Sequence, residues 1–178
     1  HGLHGLLSDV GYERLSGTNV LRDFVELPSQ LFEHWMSEPA VLREHARHIQ
    51  TGQPIPEALI KRLQAAQRFG QGYETVRYTA SALTDMALHS LPAEQQPADV
   101  VAFEAQALRE RRLPQGVGLN HRFPHFQHLF SGYSYAAGYY VYLWAEVLDA
   151  DAFQAFVESG DPFDAAVARK LKQHIYSA

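Results

Sequence analysis

Glu26 is an acidic residue within an apolar run, which makes its side chain the first candidate for chemistry in this sequence. The run is Phe24-Val25-Glu26-Leu27, where a soluble protein normally places another hydrophobic residue. A carboxylate held among apolar side chains costs free energy unless a cation or a metal ion compensates its charge. The alternative is that Asp23 and Glu26 form the polar face of an ordinary amphipathic helix. This stretch alone leaves both interpretations open.

His1 and His4 are three residues apart at the start of the chain, and Glu26 follows 25 residues after His1. Leu3, Leu6 and Leu7 recur at helical spacing, which predicts a helix over residues 1 to about 10 with both histidines on one face. Histidines at i and i+3 share a metal only with suitable geometry, so an exposed pair is the simpler expectation. Zinc peptidases instead have two ligand histidines at i and i+4, and the glutamate after the first acts as general base.

Five of the nine tyrosines fall between residues 133 and 142. Tyr135, Tyr139 and Tyr142 stand at i, i+4 and i+7, so a helix would align their phenol groups in one stripe. His128 and a turn containing glycine and serine precede them. Phenols and imidazoles directed into a cleft can donate hydrogen bonds to a developing oxyanion. Packing of the stripe in a core is the alternative, and this segment leaves both open.

Helical periodicity predicts most of the elements that must position these side chains. We expect helices over residues 22–36, 39–49, 56–69, 73–91, 97–112, 149–159 and 162–176. Pro28 should bend the first of these close to Glu26, and the helices between 39 and 112 are expected to be scaffold. Residues 114–124 form a long loop, a common location for binding residues. No sustained alternating strand pattern occurs, so the fold class is all-α.

The composition narrows the classes of function. A chain of 178 residues with 46% hydrophobic residues can bury a core, and a net charge of -5 argues against a nucleic-acid partner. There is no cysteine, which excludes disulfides and thiolate metal sites and suits a reducing, cytoplasmic location. No apolar run approaches the roughly 20 residues that cross a membrane.

Four motifs extend over almost the whole chain: His1-Gly2-Leu3-His4-Gly5, Ser16-Gly17-Thr18-Asn19, Arg22 to Gln30, and Tyr135 to Trp144. Together, and in this order, they resemble the C-terminal part of the catalytic region of the thimet oligopeptidase family of zinc metallopeptidases, which includes oligopeptidase A and the peptidyl-dipeptidases. The string from Arg22 to Gln30 is the most specific of them.

The resemblance implies an all-α, multi-helical lobe of a zincin-type oligopeptidase catalytic domain. Residues 1–178 are then expected to be a single fragment of that domain, starting inside the zinc-binding helix and lacking the extreme C-terminus. It implies zinc-dependent hydrolysis of short peptides, as an oligopeptidase or a peptidyl-dipeptidase, by a monomeric parent protein. The fragment by itself is expected to be inactive and able to self-associate through exposed apolar surface. The alternative is a non-catalytic helical domain that binds peptides or a partner through a tyrosine-lined groove.

Carried over by position, the resemblance makes His1 the second histidine ligand of the zinc and Glu26 the third ligand. The first histidine ligand and the catalytic glutamate of the family have no counterpart in this sequence, so the zinc site is expected to be incomplete. Glu33 is a candidate outer-shell carboxylate, an assignment that rests on its predicted place two turns beyond Glu26 on one helix face.

The resemblance assigns the catalytic and substrate-binding groups to the tyrosine-rich segment and the loop before it. The catalytic groups are His128, Tyr135 and Tyr142, and the substrate-binding residues beside them are Gly132, Tyr133 and Tyr139. The loop from His128 to Tyr135 is one or two residues longer than the short forms of the family, so Tyr133 competes with Tyr135 for contact with the oxyanion.

Overall fold

The computed structural model describes residues 1–178, and it confirms the all-α fold class. Ten α-helices follow one another without a β-strand, and a single isolated bridge joins Arg47 and Pro54. None of the helices is both long and apolar enough to span a membrane. The helices are α1 Gly2–Leu7, α2 Arg22–Leu31, α3 Glu33–Ser37, α4 Pro39–His45, α5 Glu57–Ala66, α6 Gln71–His89, α7 Val100–Glu110, α8 Gln127–Phe130, α9 Val141–Ser159 and α10 Ala165–Leu171.

The chain divides into two compact units. The first unit comprises His1–Phe69 and Trp144–Ala178, and the second comprises Gly70–Leu143. In the first unit Trp35 packs edge-on against Phe153 and Phe156, with ring centroids 5.0 and 4.9 Å apart. Its indole Nε1 donates to the carbonyl of Pro162 at 2.8 Å, which satisfies the polar end of a large side chain.

The helix predicted over residues 22–36 is wrong in one respect, because it is interrupted at Phe32. In a continuous helix the carbonyl of Pro28 would accept a hydrogen bond from the amide of Phe32. That carbonyl instead accepts from the buried phenol of Tyr176 at 2.5 Å, while the Phe32 amide bonds to the carbonyl of Gln30. The hydrogen bond from Tyr176 therefore satisfies a carbonyl at the end of α2.

The expectation that His1 and His4 form an exposed pair is wrong for His4, which is fully buried. The loop that follows α1 approaches the backbone of this helix closely, because a Cβ at Gly17 would lie 3.0 Å from Cα of Gly5. Gly17 has φ of +56°, a conformation that glycine adopts without steric cost. Its missing side chain lets the loop cover this part of α1.

In the second unit the core lies beneath α6 and the loop that follows α7. Its buried hydrophobic residues lie on α6, in the loop after α7, and at or next to α8. They are Ala80, Leu88, Leu119, Phe123, Phe126 and Leu129. Glu104 of α7 is buried as well, where it accepts from the amide of Phe123 at 2.9 Å and pairs with Arg122. The long loop predicted over residues 114–124 is therefore fixed to α7 at its end.

Candidate functional site

In the first unit, His1 and Glu26 bring two potential metal ligands together. His1 immediately precedes α1 and Glu26 lies in the middle of α2, and Nε2 of His1 is 3.2 Å from Oε2 of Glu26. The Glu26 side chain is 15% exposed and that of His1 is 45% exposed. Ser29, one turn further along α2, lies 2.8 Å from the same Oε2 and 2.9 Å from the backbone oxygen of Glu26. The carboxylate is thus held from two sides.

The distance between these two atoms fits a shared zinc ion. Zinc bonds to histidine nitrogen and carboxylate oxygen of about 2.0–2.1 Å place two ligands of a tetrahedron roughly 3.3 Å apart. The 3.2 Å separation of His1 Nε2 and Glu26 Oε2 matches this spacing. No group of three or more His, Asp or Glu side chains in the chain has the geometry to hold a metal ion. His1 and Glu26 therefore fit two positions of such a site.

Glu33 is not on the same helix as Glu26. It is exposed and begins α3, after the interruption at Phe32. The continuous helix face on which its outer-shell role was predicted is therefore absent. Besides His1, Ser29 contacts the Glu26 carboxylate. The sequence analysis missed Ser29, although serine at i+3 on a helix is within reach of the glutamate.

In the second unit, His128 of α8 lies among three of the predicted tyrosines. Its ring centroid is 5.1 Å from that of Tyr135, 5.9 Å from that of Tyr139 and 5.8 Å from that of Tyr142. The phenol oxygen of Tyr142 lies 3.3 Å from Nε2 of His128. The structure thus clusters the predicted imidazole with these phenols.

The predicted helical stripe of Tyr135, Tyr139 and Tyr142 is wrong, because only Tyr142 lies on a helix longer than one turn. Residues Tyr133–Tyr135 form a single 3₁₀ turn, and α9 begins at Val141. Between them Ala137 has φ of +54°, which interrupts any helix. The tyrosines meet around His128 through a folded loop instead.

Tyr133 and Tyr135 occupy different environments. The side chain of Tyr133 is 97% exposed, whereas the ring of Tyr135 packs edge-on to His128. Gly132, which precedes them, has an extended backbone with φ of 176°. Of the two competing tyrosines, Tyr135 is the one brought beside the histidine.

A cavity of about 580 Å³ opens beside this cluster within the second unit. Imidazole, phenol and amide groups around it can donate hydrogen bonds to carbonyl oxygens, and the ring faces offer apolar contact, a combination typical of ligand sites. His121, His125 and Tyr78 were missed by the sequence analysis, although the two histidines flank Pro124 at the end of the predicted binding loop. The cavity is lined by Tyr78, His121, His125, Phe126, Gln127, His128, Tyr139 and Tyr142.

Tyr78 of α6 connects this cavity to the folded loop. Its ring stacks on that of Tyr139 at 4.8 Å, and its phenol donates to the backbone carbonyl of Tyr139. Burial raises the pKa of the Tyr78 phenol above its ordinary value, so the group keeps its proton and remains a donor at neutral pH.

Comparison with known proteins gives the family. The model of peptidase family M3 matches residues 1–178. Dipeptidyl carboxypeptidase of Salmonella typhimurium is 44% identical over 161 residues, which cover 90% of this chain and 24% of that protein. Oligopeptidase A of Escherichia coli is 39% identical over 162 residues, with the same coverage of 90% and 24%.

A mitochondrial intermediate peptidase of Arabidopsis thaliana is 34% identical over 176 residues, which cover 99% of this chain and 24% of that protein. The chain thus spans about a quarter of the length of these curated relatives. The match over every residue confirms the predicted resemblance, and the chain belongs to peptidase family M3.

Proposed function

We propose that this chain is part of the catalytic domain of a zinc-dependent peptidase that hydrolyses short peptides, as an oligopeptidase or a peptidyl-dipeptidase. The observation that carries the proposal is the 3.2 Å separation of His1 Nε2 and Glu26 Oε2, within a chain of peptidase family M3. The names of its relatives, dipeptidyl carboxypeptidase and oligopeptidase A, agree with both activities.

His1 and Glu26 would hold the metal, with Ser29 orienting the glutamate and Glu33 as a further outer-shell candidate. A bound zinc ion would supply Lewis-acid activation of water and of the scissile carbonyl. Imidazole nitrogen and carboxylate oxygen are ordinary zinc ligands. The hydrogen bond from Ser29 to Oε2 restricts the rotation of the Glu26 carboxylate, which keeps its oxygen beside His1.

His128 and Tyr142 would act on the substrate carbonyl. With a proton on Nε2, His128 donates to the phenol oxygen of Tyr142, 3.3 Å away. The phenol proton of Tyr142 is then available to the carbonyl oxygen as negative charge develops on it. Tyr135 packs against His128 and is the second phenol donor, while Gly132, Tyr133 and Tyr139 would contact the peptide.

The protein is expected to act on peptides, to bind no nucleic acid and to be monomeric in its full-length form. Its cytoplasmic location also stays a prediction, since its relatives include proteins named cytosolic and proteins named organellar. Peptide binding without hydrolysis is the competing function, for which the cavity of about 580 Å³ beside His128 would serve equally well.

The test uses the full-length protein with three measurements: zinc content, hydrolysis of a quenched fluorescent peptide, and identification of the products. We expect metal-dependent hydrolysis by the wild type. Glu26→Gln should lose both zinc and activity, since an amide oxygen is a far poorer zinc ligand than a carboxylate. Asp23→Asn is the matched control, because it removes one acidic charge from the same helix without touching His1.

The outcomes separate the hypotheses. Zinc and activity near wild-type levels in Glu26→Gln would remove Glu26 from the ligand set. A zinc-loaded wild type that binds peptides without cleaving them would favour the binding domain. Metal-dependent turnover by residues 1–178 alone would contradict the expectation that this part is inactive by itself. Release of dipeptides, as opposed to internal cleavage, would identify a peptidyl-dipeptidase.

A further inference from the structure

One face of α6 bonds to the loop between α8 and α9, residues 131–140, which carries the candidate substrate-binding tyrosines and is called the tyrosine loop. The polar residues of α6 on this face recur at three- and four-residue spacing, so they lie along one side of the helix. We propose that Asp85, oriented by His89, is a positioning residue that fixes this loop for substrate binding. The inference rests on the proposed function and adds residues that the resemblance did not assign. The polar residues of this face are Tyr78, Ser81, Asp85 and His89.

Asp85 is a fully buried carboxylate with three donors directed at it. Its Oδ1 accepts from the amide of Ala137 at 3.1 Å and from Nδ1 of His89 at 2.7 Å. Its Oδ2 accepts from the amide of Tyr139 at 2.9 Å. Burial of an isolated carboxylate is costly, so these contacts are what make the charge tolerable inside the second unit. Asp85 and the loop therefore depend on each other.

His89 has a defined role in this arrangement. Its Nδ1 faces two acceptors, the Asp85 carboxylate and the Asp85 backbone carbonyl at 3.1 Å. Nδ1 must carry the proton, because neither acceptor can donate one. The imidazole thus orients the carboxylate so that both of its oxygens face the amides of the loop.

The loop needs such an anchor because its backbone is strained. Ala137 has φ of +54°, a conformation that is unfavourable for a residue with a side chain. Asp85 bonds to the amide of Ala137 and to that of Tyr139, two residues further on. The strained residue is therefore held at its own amide and just beyond it.

Tyr139 is the point at which this anchoring reaches the candidate site. Its amide bonds to Asp85, its carbonyl accepts from the phenol of Tyr78, and its phenol oxygen accepts from Nδ2 of Asn120 at 3.1 Å. The backbone amide of Asn120 in turn donates to the hydroxyl oxygen of Ser81 at 2.9 Å. Tyr139 is thus held at three points, two of them directly by side chains of α6.

The same contacts extend to the proposed catalytic groups. The ring of Tyr139 lies 5.9 Å from that of His128 and 5.8 Å from that of Tyr142. Tyr142 follows three residues after Tyr139, in the first turn of α9. A shift of the loop would therefore move Tyr139 and Tyr142 relative to His128.

The chain offers a matched control for the loss of a buried acid. Asp149 in the first unit is also buried and pairs with His34 at the same distance, 2.7 Å, as Asp85 with His89. Asp149→Asn removes an equivalent pair without touching the tyrosine loop. In Asp85→Asn an NH₂ group replaces one carboxylate oxygen, so it opposes at least one of the three donors.

The experiment compares these two variants in the full-length protein by kcat, KM and thermal midpoint, with kcat measured where both are folded. We expect Asp85→Asn to lower kcat by about 10- to 100-fold, since small misplacements of catalytic groups have effects of this size. KM should change by much less. Asp149→Asn should lower the thermal midpoint, since it weakens a buried pair with His34, and keep a kcat close to that of the wild type. Equal effects of both variants on kcat would overturn the inference.

Hydrogen exchange gives a readout that does not depend on activity. The amides of Ala137 and Tyr139 should exchange faster in Asp85→Asn than in the wild type and in Asp149→Asn. Unchanged exchange at both amides, or faster exchange without a loss in kcat, would overturn the proposed positioning role. A wild type without peptidase activity would contradict the proposed function instead, and the exchange data would still decide whether Asp85 anchors the loop.

A second pair of variants keeps the test valid if Asp85→Asn does not fold. His89→Asn retains a donor near the position of Nδ1, whereas His89→Ala removes it. We expect His89→Ala to lower kcat and to speed exchange at Ala137 and Tyr139, and His89→Asn to restore a large part of both. Identical behaviour of these two variants would contradict the orienting role of His89.

Discussion

Oε2 of Glu26 lies 3.2 Å from Nε2 of His1, although the two residues belong to different elements of the first unit. This contact accounts for an acidic residue in the run Phe24-Val25-Glu26-Leu27, because a partly buried carboxylate needs a partner. Ser29 supplies a second partner at 2.8 Å. The apolar neighbours of Glu26 therefore hold the helix in place while its carboxylate faces His1.

Ser29→Ala should weaken zinc binding by the full-length protein by about 10- to 100-fold, the range found when a partner of a metal ligand is removed. The reason is that the Glu26 carboxylate loses the hydrogen bond that restricts its rotation. Competition with a chelator of known affinity measures the change. Ser37→Ala is the control, since Ser37 bonds to the backbone of His34 and not to Glu26. Glu33→Gln belongs in the same series, where weaker zinc binding would support the role predicted from its spacing.

Tyr142→Phe should lower kcat by about 100-fold or more with a smaller change in KM, because a lost oxyanion donor acts mainly on the transition state. The aromatic ring that contacts His128 and Tyr139 is retained in this variant. Steady-state hydrolysis of a fluorescent peptide gives both constants. Tyr140→Phe is the control on the same segment, with an activity close to wild type expected. Equal kcat values in the two variants would exclude Tyr142 as the donor.

Tyr135→Phe should reduce kcat more than Tyr133→Phe, by about 10-fold or more in the comparison. Tyr135 packs against His128, while the side chain of Tyr133 is 97% exposed. Parallel measurements of kcat and KM for the two variants decide between the tyrosines. A larger loss of kcat in Tyr133→Phe would reverse the assignment and would require the loop to close over the substrate.

The parts of the fold that depend on local periodicity could be predicted. The helix α6 was expected over residues 73–91 and is observed over Gln71–His89, because its apolar residues recur at helical spacing. The break after α2 could not be predicted in the same way. At the break, the carbonyl of Pro28 accepts a hydrogen bond from Tyr176, which lies 148 residues after Pro28 in the chain.

In the candidate site, too, the parts that depend on local sequence could be predicted, and the parts that depend on long-range contacts could not. The string around Glu26 predicts a ligand through residue types and their order, and that prediction needs no long-range contact. The tyrosine loop instead depends on Asp85, which lies 52 residues before Ala137 and 54 before Tyr139. Periodicity predicted a helix there, but those long-range hydrogen bonds stabilise another backbone path. The α6 helix, expected to be scaffold, supplies the residues that shape the loop.

His4 should make the stability of the protein fall in mild acid. It is fully buried beside Tyr176, both ring nitrogens lack partners, and burial lowers the pKa of its imidazole below the ordinary value of 6.5. The unfolded chain therefore binds a proton that the folded protein resists. Keeping His4 neutral therefore has no cost well above pH 6.5, and the free energy of unfolding decreases as the pH falls through about 6.5, the pKa of histidine in the unfolded chain.

Urea unfolding of the full-length wild type and of His4→Leu at about pH 5.5 and about pH 8 measures this decrease. The variant should lose less stability on acidification, whereas His45→Leu, which replaces an exposed histidine, should follow the wild type. Parallel pH dependence in wild type and His4→Leu would show that His4 is protonated equally in the folded and unfolded states.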